Sequence, residues 1–373
     1  MRLLPSLACV VILLAASAES FAAKPKLLEL KLDNETIQGK MVAHNQSLCW
    51  LMERDGNLRQ IELRNVTEFR TLSNGFRRMK VAEFRKQLRR EFKKPYEIKS
   101  TQHYVVCATT GKAKQYAQLF ETIYRTFTRH ISARGFRISK PDFPLVAIVF
   151  PDFKSFREYS RKVGVRAFPG LKGYYLPTTN RVALYDDGNE DVALDVNPLP
   201  QHALRRYARI RGNFKETLIH EATHQVAFNV GLHSRIGESP VWVVEGLATI
   251  FEAPGIRDRS HGEPKSRINP YRFLSFKEFV KKRRKQKSLA DFIKSDTLFR
   301  RSILDAYAQA WALSFYLIET RPAKYMQYLK TIAKRDPLKP YTPEERLSDF
   351  TNTFGEDLNM FETALIRYID RLQ

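Results

Sequence analysis

Apolar and polar positions alternate in short runs through the first part of the chain and shift to a three-to-four-residue spacing in the last. Leu28-Glu29-Leu30-Lys31-Leu32 alternates strictly, and Ile37 to Ala43, Leu48 to Met52 and Leu58 to Leu63 continue in short runs. Asp33-Asn34, His44-Asn45 and Asp55-Gly56-Asn57 supply turns between them. Period-two runs cut by such residues predict strands, so 24–70 reads as a small all-β module of the SH3-like type. Within a linker over 71–95, residues 79–92 set Val81, Phe84, Leu88 and Phe92 on one helical face and Arg85, Lys86, Arg89 and Arg90 on the other. That spacing predicts a basic amphipathic helix.

From 96 to 212 the pattern is α/β. His103 to Ala108 and Leu145 to Phe150 read as strands, with a helix over Lys112 to Ala133 between them and another at Phe153 to Val163. Gly173 to Leu176 and Arg181 to Tyr185 flank the turn Pro177 to Asn180, which predicts a hairpin. Residues 188–212 read as a polar loop with a basic patch at Arg205, Arg206, Arg209 and Arg211. From 213 to 373 the chain reads as mainly helical, over 214–230, 240–252, 289–294, 303–319, 323–334 and 357–371. The run Lys281-Lys282-Arg283-Arg284-Lys285 reads as solvated linker. The fold class is therefore α+β.

Composition adds a partner class and a compartment. The chain has 373 residues and a formal charge of +23 from 63 basic and 40 acidic side chains. Such a surplus predicts attraction to anionic surfaces or polymers through the basic patches. Residues 1–23 carry Arg2, an apolar run from Leu7 to Ala16 and small residues near Ala18 and Ala23. This is the form of a secretory signal peptide, and the apolar run is too short for a membrane span. The expected location is secreted, periplasmic or cell-envelope, with no transmembrane span in the mature chain. Nucleic acid is not the expected partner of an exported protein. Cys49 and Cys107 remain after cleavage, and the residues leave open whether they pair.

The chemistry concentrates in His220-Glu221-Ala222-Thr223-His224. On a helix, His at i and i+4 share one face, so two imidazoles can meet one zinc ion. Asn213 and Gly231 offer a start and a stop for that helix. Glu221, one step round, can serve as general base toward a zinc-activated water. A third ligand is needed, and Glu245 is a carboxylate inside the apolar run Val241 to Phe251. A lone charge there is costly unless paired or bound to metal. Gly246 and Ala248 are small, which predicts close approach of this helix to the first. His220, His224 and Glu245 leave a fourth zinc position open, the pattern of a catalytic site with one ion per chain. Glu252 weighs more as an acceptor from a ligand imidazole than as a ligand. His233 lies past the helix stop and reads as a loop residue. His44, His103, His130, His202 and His261 lack ligand spacing. Tyr307 opens a later helix and is the candidate oxyanion donor, with His261 in reserve.

These residues resemble the gluzincin clan of zinc metallopeptidases. The fuller run from His220 to Gln225, Pro240 to Glu252 and Tyr307-Ala308-Gln309-Ala310-Trp311 is similar to the bacterial family called domain of unknown function 1570. The resemblance implies a zincin-like catalytic domain over 96–373, with a mixed sheet whose edge strand pairs with substrate; residues 181–185 stand in the chain position of that edge. It implies a zinc-dependent metallohydrolase, most plainly a peptidase acting on peptide or protein. The rival reading is a non-catalytic or anionic-polymer-binding envelope protein on the same fold.

Overall fold

The computed structural model describes residues 25–186, 188, 214–257, 264–285 and 288–372. The signal segment, the arginines of 205–211, Asn213, His202 and His261 lie outside the described residues. The chain divides into two compact units, with the division between Phe84 and Arg85.

The first unit is an antiparallel sheet of five strands, β1 (Leu27–Lys31), β2 (Thr36–His44), β3 (Leu48–Met52), β4 (Leu58–Glu62) and β5 (Glu68–Leu72). Their order is β4-β3-β2-β1-β5, so the chain meanders and then returns to pair β5 with β1. The alternation seen in the sequence is the reason: Leu28, Leu30, Ile37, Cys49, Leu51 and Ile61 face a common small core. β5 was not evident in the sequence, because its apolar side chains are only partly buried. Helix α1 (Val81–Glu91) follows and buries Phe84 and Leu88, while Lys86, Arg89 and Arg90 are exposed.

The second unit holds a mixed sheet in the order β6-β7-β8-β10-β9. Its strands are β6 (Tyr96–Ser100), β7 (Tyr104–Thr109), β8 (Leu145–Phe150), β9 (Gly173–Leu176) and β10 (Arg181–Tyr185). β7, β8 and β10 run parallel, joined through α2 (Ala113–Ser132) and α3 (Phe153–Lys162), and β6 and β9 pair antiparallel at the two edges. All six residues of β8 are buried, as expected for a central strand covered on both faces. The expectation that 181–185 forms the sheet edge is corrected: β10 is paired on both sides, and β9 is the edge. The hairpin reverses the chain so that its first strand lies outside, with Asn180 in the left-handed region at φ 59° closing the turn.

Helices α4 (Phe214–Asn229), α5 (Val241–Glu252), α6 (Pro270–Lys282), α7 (Ser288–Lys294), α8 (Ile303–Thr320), α9 (Pro322–Ala333), α10 (Pro343–Phe354) and α11 (Leu358–Asp370) complete the unit. Two of these were not foreseen. α6 starts with Pro270 at its first position and Asn269 as N-cap, whose side chain accepts from the Arg272 N–H at 3.2 Å. Lys281 and Lys282 thus end a helix rather than lie in a linker. α10 opens with a capping box of Thr342 and Glu345. No described helix is long and apolar enough to cross a membrane. Cys49 and Cys107 are buried free thiols, and burial pushes them up to about 11 and about 12.

α4 is stopped by Gly231, whose φ of +91° only glycine adopts without strain. Every residue from Thr217 to Ala227 is buried, so the helix is enclosed on all sides. The sheet and α2 lie against it from one direction and α5 from another. α5 in turn packs along α8. The closeness expected of Gly246 is real, but its neighbour is different. A Cβ at Gly246 would meet the Ala310 carbonyl oxygen at 2.5 Å and the Ser314 hydroxyl closer still, both on α8. Gly246→Ala should therefore lower stability by about 1–3 kcal/mol. Urea unfolding measures this; an unchanged midpoint would show that α5 and α8 can move apart freely.

Candidate metal centre

α4 brings His220 and His224 onto one face, with their Nε2 atoms 3.0 Å apart. α5 presents Glu245 from the facing helix. Its Oε2 lies 3.1 Å from His220 Nε2 and 3.4 Å from His224 Nε2. All three side chains are buried, and together they form a group able to hold a metal ion.

The chemistry of the three atoms fits a cation. A carboxylate oxygen can only accept, so Glu252, whose Oε1 lies 2.8 Å from His220 Nδ1, accepts a hydrogen bond from a proton held on that nitrogen. The neutral imidazole then turns the Nε2 lone pair toward His224 Nε2 and Glu245 Oε2. Three electron-rich atoms at 3.0–3.4 Å repel one another unless a proton or a cation lies among them. A tetrahedral ion with bonds of about 2.0–2.1 Å sets its donors about 3.3 Å apart, close to what is observed.

Glu252 is itself fixed. Asn269 Nδ2 donates to its Oε2 at 2.6 Å, and Arg272 Nε lies 3.8 Å away. Burial pushes the Glu252 carboxyl up, but the Arg272 charge and the bonds from His220 and Asn269 outweigh it. The group is held below the usual carboxylate range. The sequence assigned Glu252 this role as acceptor from a ligand imidazole, one turn-pair beyond Glu245 on the same helix. It gave no sign of Asn269 and Arg272, which come from the unforeseen α6.

Glu221 points elsewhere. It is fully buried, and its Oε2 accepts the Tyr175 backbone N–H at 2.8 Å. That amide belongs to the edge strand β9, so the acidic side chain and the sheet edge are in direct contact. A polar network maintains this registry. Gln225 Nε2 donates to the carbonyls of Val146 and Asn180, at 3.0 and 2.8 Å. Asn229 and Asn180 exchange side-chain bonds, Tyr175 Oη donates to Asn180 Oδ1 at 2.9 Å, and Arg235 Nε donates to the Pro177 carbonyl at 2.8 Å. None of these roles was foreseen; Gln225 and Asn229, polar residues on an otherwise apolar helix, were the available signal.

Tyr307 lies one turn into α8 and is buried. Its ring centroid is 6.3 Å from that of His220, and the Arg272 guanidinium lies 4.9 Å over its face. Arg272 thus touches both the carboxylate that orients His220 and the tyrosine beside it. His233 is a buried loop residue, packed on Phe228 at 5.1 Å between ring centroids, and neither ring nitrogen meets a hydrogen-bond partner among the described residues. Burial first, and the His224 imidazole second, push it down to about 3, so it stays neutral. His103 pairs with Glu121 at 2.8 Å, far along the chain from this centre.

The support given by Glu252 can be measured apart from the donors themselves. Glu252→Gln should keep the fold and weaken metal binding about 10- to 100-fold, read by competition with a chelator. His224→Ala and Glu245→Ala should each remove stoichiometric binding. Full occupancy in both alanine variants would mean that another set of residues holds the ion.

Residues 215–339 match the family described as Protein of unknown function (DUF1570), and that segment contains His220, Glu221, His224, Glu245, Glu252 and Tyr307. No curated protein matches the chain.

Proposed function

We propose that the protein is an exported zinc-dependent metallohydrolase, and within that class a peptidase, built on a zincin-like fold of the gluzincin kind. The observation that carries the reading is the buried trio His220, His224 and Glu245, with donor atoms 3.0–3.4 Å apart, on a helix whose Glu221 accepts an amide of the sheet edge. Two imidazoles and one carboxylate suit zinc and leave a fourth position open. The mixed sheet with an antiparallel edge strand over the motif helix supports the fold assignment. The meander of the N-terminal sheet, with a 3-10 turn at Leu63–Asn65 before β5, supports the SH3-like reading of that module.

The residues have separable tasks. His220, His224 and Glu245 would hold the ion, and Glu252 keeps His220 in the tautomer that offers Nε2. A bound zinc ion supplies Lewis acidity that polarises a carbonyl and acidifies water. Glu221 accepts the proton of the attacking water and returns it to the leaving amine. Its Oε2 is anchored by the Tyr175 amide, which orients the carboxylate for that transfer. A peptide strand added along β9 would run past this carboxylate. Tyr307, whose ring lies beside that of His220, would donate from its phenol to the oxyanion that develops at the carbonyl.

Two substitutions test these roles. Glu221→Gln should retain zinc and fold while losing most hydrolysis of a peptide mixture. Equal turnover would remove Glu221 from the mechanism. Tyr307→Phe preserves the ring and its packing under Arg272. It should lower kcat by about 10²–10³ with zinc content unchanged; a fall below about threefold would assign the oxyanion to another donor.

A further inference from the structure

A cavity of about 370 Å³ adjoins the donor trio, within the range of about 300–1,000 Å³ that ligand sites occupy. Glu245 and Tyr307 both line it. The rest of its wall is mainly apolar. Val165 and Leu171 come from the segment that leads into β9, Tyr174 from β9 itself, Val241 from the start of α5, and Phe299 and Ile303 from the entry to α8. Tyr174 is the residue before Tyr175 on the edge strand. One residue of β9 therefore lines the cavity while the next holds Glu221 by its amide.

The charges in the wall are arranged against cationic occupants. Asp296 accepts the Val241 N–H at 3.0 Å and pairs with Arg346 at 2.9 Å, so its charge is already compensated. Glu245 is turned to the two imidazoles. Arg300 is exposed, bonds the Thr297 hydroxyl at 3.1 Å, and has no ion pair among the described residues. A cationic side chain entering here meets Arg300 at the rim and finds no uncompensated carboxylate inside. An apolar side chain meets six apolar walls and loses only water.

We infer that this cavity is the subsite for a large apolar side chain, such as Phe or Leu, on the substrate residue flanking the scissile bond. The inference rests on the peptidase reading, and the test separates the two. Zinc-loaded Glu221→Gln protein is titrated with two pentapeptides that differ only in a central Phe or Ala, so that affinity is read without turnover. The wild-type protein is assayed in parallel for cleavage of the same peptides. The Phe peptide should bind about 10- to 100-fold more tightly, as burial of a benzyl group in an apolar site gives. Adding Val165→Phe, at the half-buried side of the wall, or Ile303→Trp, should narrow the cavity and bring the two affinities together. Equal affinity for both peptides, or a preference that survives both filling substitutions, overturns the subsite. A Phe preference abolished by either substitution supports it. If wild-type protein with full zinc then cleaves neither peptide, the subsite stands as a binding site and the peptidase reading fails.

Discussion

Polar side chains enclosed within helix α4 set the terms for everything packed around it. His220, Glu221, Thr223, His224 and Gln225 are all buried on one helix of sixteen residues. Each would cost several kcal/mol if left without a partner in the interior. Thr223 satisfies itself by donating to the Ile219 carbonyl at 2.7 Å. The others need partners from elsewhere. Gln225 requires two main-chain carbonyls, one from β8 and one from the hairpin turn, Glu221 an amide from the sheet edge, and the imidazoles carboxylates from α5. These demands fix β9, β10 and α5 around α4 more sharply than apolar contact could, because a hydrogen bond tolerates only a few tenths of an ångström.

A second layer of constraint holds α5 in place. Glu245 must reach two imidazoles while Glu252, seven residues on, reaches the far side of one of them. Both conditions hold only if the helix keeps its axis and rotation. Gly246 allows α5 to lie directly on α8, and Asp296 receives the Val241 N–H at its start. At its far end Glu252 is clamped by Asn269 and Arg272. Arg272 carries a buried charge that lies 3.8 Å from a Glu252 oxygen and whose flat face rests on Tyr307. The ligand helix, the supporting carboxylate and the tyrosine are in this way positioned as one unit.

Much of this was legible in the sequence, and the division has a physical cause. His220, His224 and Glu245 could be read because their chemistry is rare in apolar helices and their spacing is local. Strands β1 to β4 of the first unit could be read because buried and exposed positions alternate along them. Gly246 showed that a close approach exists but not to which helix, since a missing side chain names no neighbour. The hairpin 173–185 was legible, yet which strand lay outside depended on pairing between residues far apart. β6 and β5 have too few buried positions to alternate clearly. Helix 270–282 was hidden by the basic run at its end, although Asn269-Pro270 is a start signal that could have revealed it. The Tyr175 amide could not have been read at all, because a backbone group carries no letter in the sequence.

Part of the positive charge lies on helix faces apart from the donor trio. Lys86, Arg89, Arg90, Lys281 and Lys282 are solvent-exposed on helices that contribute no donor to the centre. Charges of this kind attract anionic surfaces without selecting a sequence, and salt at about 0.1 M screens them over about 10 Å. The buried trio is shielded from that screening and answers to coordination chemistry instead. Attraction to an anionic surface and the hydrolysis proposed for the trio would therefore be physically independent. The first would weaken steeply with ionic strength and ignore a chelator, whereas the second would do the reverse.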